Sequence, residues 1–273
     1  MTAVWGWTFV IVKDAIAQYP TLPFLAIRFA LALLVMAIIV RRLPSHRTLL
    51  VGAAVGAAVA AGYVLQTVAL QSASPGNAGL ITGLFVVFTP LLERLAGRSV
   101  PWWTYLAVAV ALAGTALLAG GGSARIGLAE VLLLGCALAF ALQIVMLSHW
   151  SPGLPSGPLA MVQMGTAAVL FGVPAAPSLH LPGPSVWFAL VITGVFASAL
   201  AMFIQTWAQQ QLSASRTAVI LSTEPAWALF FSVLLAGQRL GPVQALGTAL
   251  VLIAIFGYEA GTRLSARKIG PST

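Results

Sequence analysis

The sequence predicts an all-α membrane protein of about ten transmembrane helices arranged as two inverted five-helix repeats, and three observations predict it. Hydrophobic residues make up 60% of the 273 residues, charged residues 7%, and the mean hydropathy is +1.01, outside the range of soluble globular domains. Apolar runs of roughly membrane-spanning length follow one another with short gaps, too long and too unbroken for the alternating strands of an outer-membrane barrel. Finally, Gln66-Thr67, Ala69, Gln71 and Ser74 are answered at one constant offset by Gln205-Thr206, Ala208, Gln210 and Ser213, and each half carries a later helix-breaking proline, Pro90 and Pro225. Such self-similarity is the mark of a repeat.

Taken in order, the predicted spans are 1–17, 23–40, 48–72, 77–92, 102–120, 128–150, 159–173, 185–211, 214–236 and 243–258. Breakers separate them: Pro20, Pro44, Ser74-Pro75-Gly76, Gly120-Gly-Gly, Ser151-Pro-Gly-Leu-Pro and Pro182-Gly-Pro. The first span opens almost at the first residue, without the features of a signal peptide. It is short for a helix that crosses roughly 30 Å at 1.5 Å per residue, so a clipped span is expected. The halves are read as 1–122 and 127–260, with 261–273 a basic cytoplasmic tail.

Basic residues fix the orientation. One set of loops holds Arg41, Arg42, Arg47, Arg94, Arg98, Arg216, Arg263, Arg267 and Lys268, the other only Arg125 and Arg239, which puts both termini in the cytoplasm and the chain in a bacterial inner membrane. The same placement accounts for the net charge of +8, so no nucleic-acid partner is called for. The expected partners are the lipid bilayer and a small-molecule substrate, and the expected state is a monomer. Trp102, Trp103, Trp150 and Trp187 sit at span ends as interfacial anchors.

Five spans per half is an odd number, so the second copy enters the membrane upside down. Inverted repeats of this kind place a binding site near the bilayer midplane between the halves and work by alternating access. A nucleotide-driven pump is excluded because no Gly-x-x-x-x-Gly-Lys-Ser/Thr loop is present. Cys136 stands alone, His46, His149 and His180 lack metal-ligand spacing, and no cofactor is expected. Asp14, Glu93, Glu130, Glu224 and Glu259 fall on five different spans or loops, leaving no carboxylate pair for an intramembrane enzyme.

Trp5-Gly-Trp-Thr-Phe, Ala26-Ile-Arg28-Phe, the run Ser72-Ala-Ser-Pro-Gly-Asn-Ala-Gly-Leu-Ile-Thr-Gly before Pro90, and Ser222-Thr-Glu-Pro225, in this order and spacing, resemble the EamA-type drug/metabolite transporter superfamily across nearly the whole chain. The resemblance implies ten helices in two inverted repeats and export of metabolites such as amino acids. Within that superfamily the chain is similar to the bacterial aromatic amino acid exporters. One departure is Gly237-Gln238-Arg239, where the family usually has Gly-Glu-Arg; the short first span is another.

Polar side chains inside hydrocarbon are costly and tend to face a cavity, a partner helix or the interface. Helical spacing puts Tyr63, Gln66 and Leu70 on one face, and Met202, Gln205 and Gln209 on another. Gln66 and Gln205 are candidates to hold the amino and carboxylate groups of a zwitterion, with Tyr63, Trp7 and Phe85 around its apolar body; the plainer alternative is that the amides tie helices together. Gln143 is a further cavity candidate. Asn77 is read first as a helix N-cap, with Ser74 the other choice, and second as part of a helix N-terminus facing a substrate carboxylate.

Glu224 falls near the middle of its span, where a lone carboxylate is destabilising, so neutralisation or pairing with Lys13 or Arg28 is expected. Pro225 is expected to kink the helix there. Glu224 and Pro225 are thus candidates for coupling or gating, and Lys13 for an outer gate. Arg28 is read as snorkelling to the outer interface, with Gln163 its counterpart in the second half. Rival cargoes are a cationic drug held by Glu224, or a sugar phosphate or nucleotide sugar, which needs cationic clamps that the midplane lacks.

Overall fold

The computed structural model describes residues 1–97, 102–120, 127–212 and 214–268. Arg98, Arg125, Ser213 and the last five residues of the basic tail lie outside the described residues. Each apolar run folds as a helix, the one open structure that pairs every backbone N–H and C=O within its own segment where no water is available.

In chain order the helices are α1 (Thr2–Ile16), α2 (Thr21–Ile39), α3 (His46–Ala69), α4 (Pro75–Thr82), α5 (Phe85–Leu95), α6 (Trp102–Gly120), α7 (Leu128–Trp150), α8 (Ser156–Ala175), α9 (Pro184–Val191), α10 (Ala201–Gln209), α11 (Ala214–Leu221), α12 (Glu224–Ala236) and α13 (Pro242–Lys268). A π-helical stretch, Ile192–Leu200, joins α9 to α10, and no strand occurs among the described residues.

Six segments are long and apolar enough to cross a membrane: Thr21–Ile39, His46–Ala69, Pro75–Leu95, Leu128–Trp150, Ser156–Ser178 and Pro184–Gln209. Shorter apolar helices, Trp102–Thr115, Glu224–Ala236 and Pro242–Tyr258, stand beside them. The exterior carries exposed Leu34, Ile38, Leu138, Val169, Phe188 and Leu234, a surface suited to lipid. Trp102, Trp150 and Trp187 are exposed at helix ends.

Two spans expected to be continuous are interrupted. Gly83 and Leu84 separate α4 from α5, and Ser222 and Thr223 separate α11 from α12. At the first break the ladder tightens to three-residue steps, with Leu84 N–H bonded to Ile81 O at 3.1 Å and Val87 N–H to Leu84 O at 2.9 Å. Neither proline makes the break at its own position. Pro90 lies inside α5, and Pro225 occupies the first turn of α12, where a missing N–H costs nothing. Pro75 and Ala214, Phe85 and Glu224, and Gln66 and Gln205 are each 139 residues apart, so the element starts keep the offset of the Gln-Thr pairs.

The packing is also paired. Helix α1 lies on α12 as α7 lies on α5, α4 on α12 as α11 on α5, and α3 on α8 as the π stretch on α2, while α2 meets α8 and α6 meets α13. Small residues allow the closest of these approaches. A Cβ on Gly56 of α3 would lie 2.9 Å from Gln163 O, and one on Gly194 of the π stretch 3.0 Å from Arg28 O.

Candidate functional site

A cavity forms where six spans converge. Trp5, Thr8 and Phe9 of α1, Tyr63 and Gln66 of α3, and Phe85, the first residue of α5, line it from the first half; Phe140, Gln143 and Ile144 of α7, Met202 and Gln205 of α10, Leu221 of α11 and Glu224 of α12 complete it. Its volume is about 40 Å³. That is room for a few waters, each needing roughly 10–15 Å³ by this measure, so this is a contracted state and a larger guest requires the walls to part.

One wall is a ladder of amides. Gln209 donates from Nε2 to Ile144 O (3.1 Å) and Ser148 Oγ (3.2 Å), and Gln205 donates to Gln209 Oε1 (3.0 Å) and Gln143 Oε1 (3.2 Å). The ladder ends on Gln143, whose buried Nε2 has no partner. Burying an amide N–H without an acceptor costs about 1–3 kcal/mol, so the site holds a donor in reserve. Gln209 stands behind the cavity wall and braces Gln205. Across the cavity, Gln66 makes no side-chain hydrogen bond among the described residues.

The opposite wall is aromatic and hides a cation. Tyr63 meets Phe29 and Phe140 edge-on, with centroids at 5.1 and 5.3 Å. Behind it the Arg28 guanidinium sits 4.4 Å from the Tyr63 ring centroid, only 1% exposed. Arg28 therefore does not snorkel to the interface. It turns inward because Tyr63 offers a π face, worth about 2 kcal/mol or more when desolvated, and Ser198 Oγ accepts from its Nε at 2.9 Å. One terminal nitrogen, Nη2, is left without a partner. Its counterpart Gln163 donates to Thr206 Oγ1 at 3.1 Å.

Glu224 does not pair with Lys13 or Arg28. Lys13 is committed to the C-terminal end of α3 and the turn after it, donating to Leu70 O and Ala73 O at 2.8 Å each. The Glu224 carboxylate instead faces the cavity, 8% exposed, without a hydrogen bond or ion pair among the described residues. As the first residue of α12 it gains from the partial positive charge of the helix N-terminus.

Two sequence expectations move. Trp7 packs against Phe231, centroids 6.5 Å apart, and does not line the cavity, whereas Trp5 does and donates from Nε1 to Ala197 O at 2.7 Å. Two residues apart on a helix means about 200° of rotation, so only one of the two tryptophans faces inward. Asn77 also lies off the cavity, accepting from Gln238 Nε2 at 3.2 Å; the cap of α4 is Ser74, whose Oγ accepts from Asn77 N–H. Among the described residues no group of three His, Cys, Asp or Glu side chains comes together to hold a metal ion.

The EamA-like transporter family model matches residues 1–120 and 127–258. The chain belongs to this family. EamA relatives of known sequence include an uncharacterized transporter of Archaeoglobus fulgidus, 33% identical over 256 residues, covering 92% of this chain and 81% of that one. The uncharacterized inner membrane transporter YedA of Escherichia coli is 25% identical over 276 residues, covering 97% and 90%. A solved crystal structure, 18% identical, superposes with a TM-score of 0.71 over 100% of this chain and 97% of that one, which shows a shared fold. As an EamA protein the chain is a membrane transporter and not an enzyme.

Proposed function

We propose that the protein exports amino acids, aromatic or otherwise neutral, or closely related small metabolites, across a bacterial inner membrane by alternating access between two inverted five-helix repeats, 1–122 and 127–260. The observation that carries the substrate reading is the cavity's make-up. An amide ladder with an unused donor on Gln143 faces Phe9, Tyr63, Phe85 and Phe140, which suits a small zwitterion with an apolar body. Gln66, Gln143 and Gln205 meet its polar end, braced by Gln209. Among the described residues no Lys or Arg lines the cavity, so a dianionic sugar phosphate would lack counter-charges there.

The repeat reading is supported by the 139-residue offset of helix starts and by the exchange of packing partners between halves. Its two breaks also touch, since a Cβ on Gly83 would lie 2.1 Å from Pro225 Cγ. Alternating access then has a shared pivot beside the cavity. In this state several links between halves lie where α1 ends and α4 begins: Ser185 donates to Gln18 Oε1 (2.8 Å) and Tyr19 to His180 O (2.5 Å), while Gln238 meets Gly76 and Asn77. Lys13 fastens α1 to the end of α3 in the same layer, as a gate component, with Asn77 and Arg28 in supporting positions.

In proteoliposomes the purified protein is expected to take up labelled aromatic amino acids with saturation and counterflow, and Gln66→Ala, Gln205→Ala and Tyr63→Ala should each depress the rate. Normal transport by all three variants would sink the assignment of this cavity. Cysteines placed at the two termini and labelled from outside intact cells test the topology; reaction at either end contradicts cytoplasmic termini.

A further inference from the structure

We propose that Glu224 is the seat of the cargo's ammonium group, so that the cavity selects a primary amine or zwitterion on an apolar body over an anion of the same body. The inference rests on reading this cavity as the substrate site and adds the charge that the substrate must bring.

Glu224 is the one acidic side chain among the residues lining the cavity, more than nine-tenths buried. Neither the half-buried Lys13 nor the buried Arg28 answers it: Lys13 is spent on backbone carbonyls and Arg28 on Ser198 and Tyr63. A carboxylate removed from water is stable only when paired and hydrogen-bonded. An ammonium group carries three donors and one positive charge, which is what the Glu224 side of the cavity lacks.

The rest of the wall has the opposite sense. Gln143 Nε2 is an unused donor, fit for a carboxylate and useless to an ammonium group, and Arg28 lies behind Tyr63 with its charge against the ring. That ring face is occupied, so an incoming cation finds no open cation–π seat there and is directed toward Glu224. A zwitterion satisfies both sides at once.

Binding to the purified protein of three matched phenyl compounds tests this: phenylalanine, 2-phenylethylamine and 3-phenylpropionate. The same three forms of a leucine-like body, leucine, isoamylamine and 4-methylpentanoate, are run beside them. Wild type is expected to bind the ammonium compounds at least about tenfold more tightly than the acids. Glu224→Gln should remove that preference, and Glu224→Asp, which keeps the charge, should retain most of it. The comparison within wild type stands even if Glu224→Gln fails to fold. Acids binding as tightly as amines, a preference that survives Glu224→Gln, or no ammonium compound binding at all would each overturn the proposal. Amines that bind through Glu224 while amino acids do not would overturn the amino acid reading and leave the role of Glu224 standing.

Discussion

The two interrupted spans are built alike and furnished differently. Helices α4 and α5 break at Gly83-Leu84, and α11 and α12 break at Ser222-Thr223, with the second helix of each pair starting 139 residues from its counterpart. Yet the residue that opens the second helix is Phe85 in one half and Glu224 in the other, and both line the cavity. The breaks fall at matching positions, and each has a partner helix packed on it. Their side chains do not match, and unlike walls suit the proposed cargo with a polar and an apolar end. The first half supplies aromatic surface and a free amide, the second an amide ladder and the carboxylate.

The sharpest way to break the shared architecture is at the contact between the breaks. Gly83→Val puts side-chain atoms where Pro225 already sits, and overpacking of this kind costs about 3 kcal/mol. The matched Ser222→Ala removes one hydroxyl from a buried site, at about 1 kcal/mol. Unfolding in mixed micelles measures both, and equal losses would mean that the breaks do not bear on each other.

A second test separates the two glutamines that the sequence pairs. Gln205→Leu strips the donor from Gln143 Oε1 and Gln209 Oε1 and should cost about 2 kcal/mol of stability as well as transport. Gln66→Leu breaks no protein hydrogen bond and should stay within about 0.5 kcal/mol of wild type while transport still falls. Equal melting temperatures for the two variants would contradict the ladder.

What the sequence showed and withheld follows the same line. The offset of Gln66 and Gln205 was legible because it needs only a count along the chain, and the helical membrane class because apolar length reports on the bilayer, with six of the ten expected spans long and apolar enough to cross and three shorter apolar helices beside them. The breaks were half legible: Pro90 and Pro225 marked the interrupted spans, but the ladder gives way at Gly83 and Ser222, where the packing of α4 on α12 and of α11 on α5 decides. Trp5 was missed in favour of Trp7 because helix phase relative to a neighbour is not written in one segment. The inward turn of Arg28 depends on Tyr63, 35 residues later, and on Ser198 of the π stretch, whose extra residue per turn leaves no mark on an already apolar run.

Arg28 and Gln163 offer a smaller contrast, since each is a buried polar side chain that joins its helix to a neighbour. Arg28→Gln forfeits the contact with Tyr63, about 2 kcal/mol, but also removes a buried charge with an unpaired nitrogen, which offsets part of that loss. A net loss of about 1 kcal/mol is expected, with weaker binding of carboxylate-bearing cargo. A variant as stable as wild type would mean that the guanidinium is there for function alone.

The smallest effect is expected where the chain departs from its family. After α12 the chain turns through Gly237, at φ 63°, and Gln238 folds back on the start of α4. Its Oε1 accepts from Gly76 N–H at 3.2 Å and from Ser232 Oγ, and its Nε2 donates to Asn77 Oδ1. Gln238→Glu, restoring the usual Gly-Glu-Arg, keeps both acceptor roles and adds a negative charge at a helix N-terminus, worth about 0.3–1 kcal/mol. It loses the donor to Asn77, a deficit of similar size. The variant should therefore melt within about 0.5 kcal/mol of wild type and transport at the same rate. A loss above about 1 kcal/mol would locate the fastening of this end of the bundle in the bond to Asn77, and the proposed opening there would require Asn77 and Gln238 to part before α4 and α12 can separate.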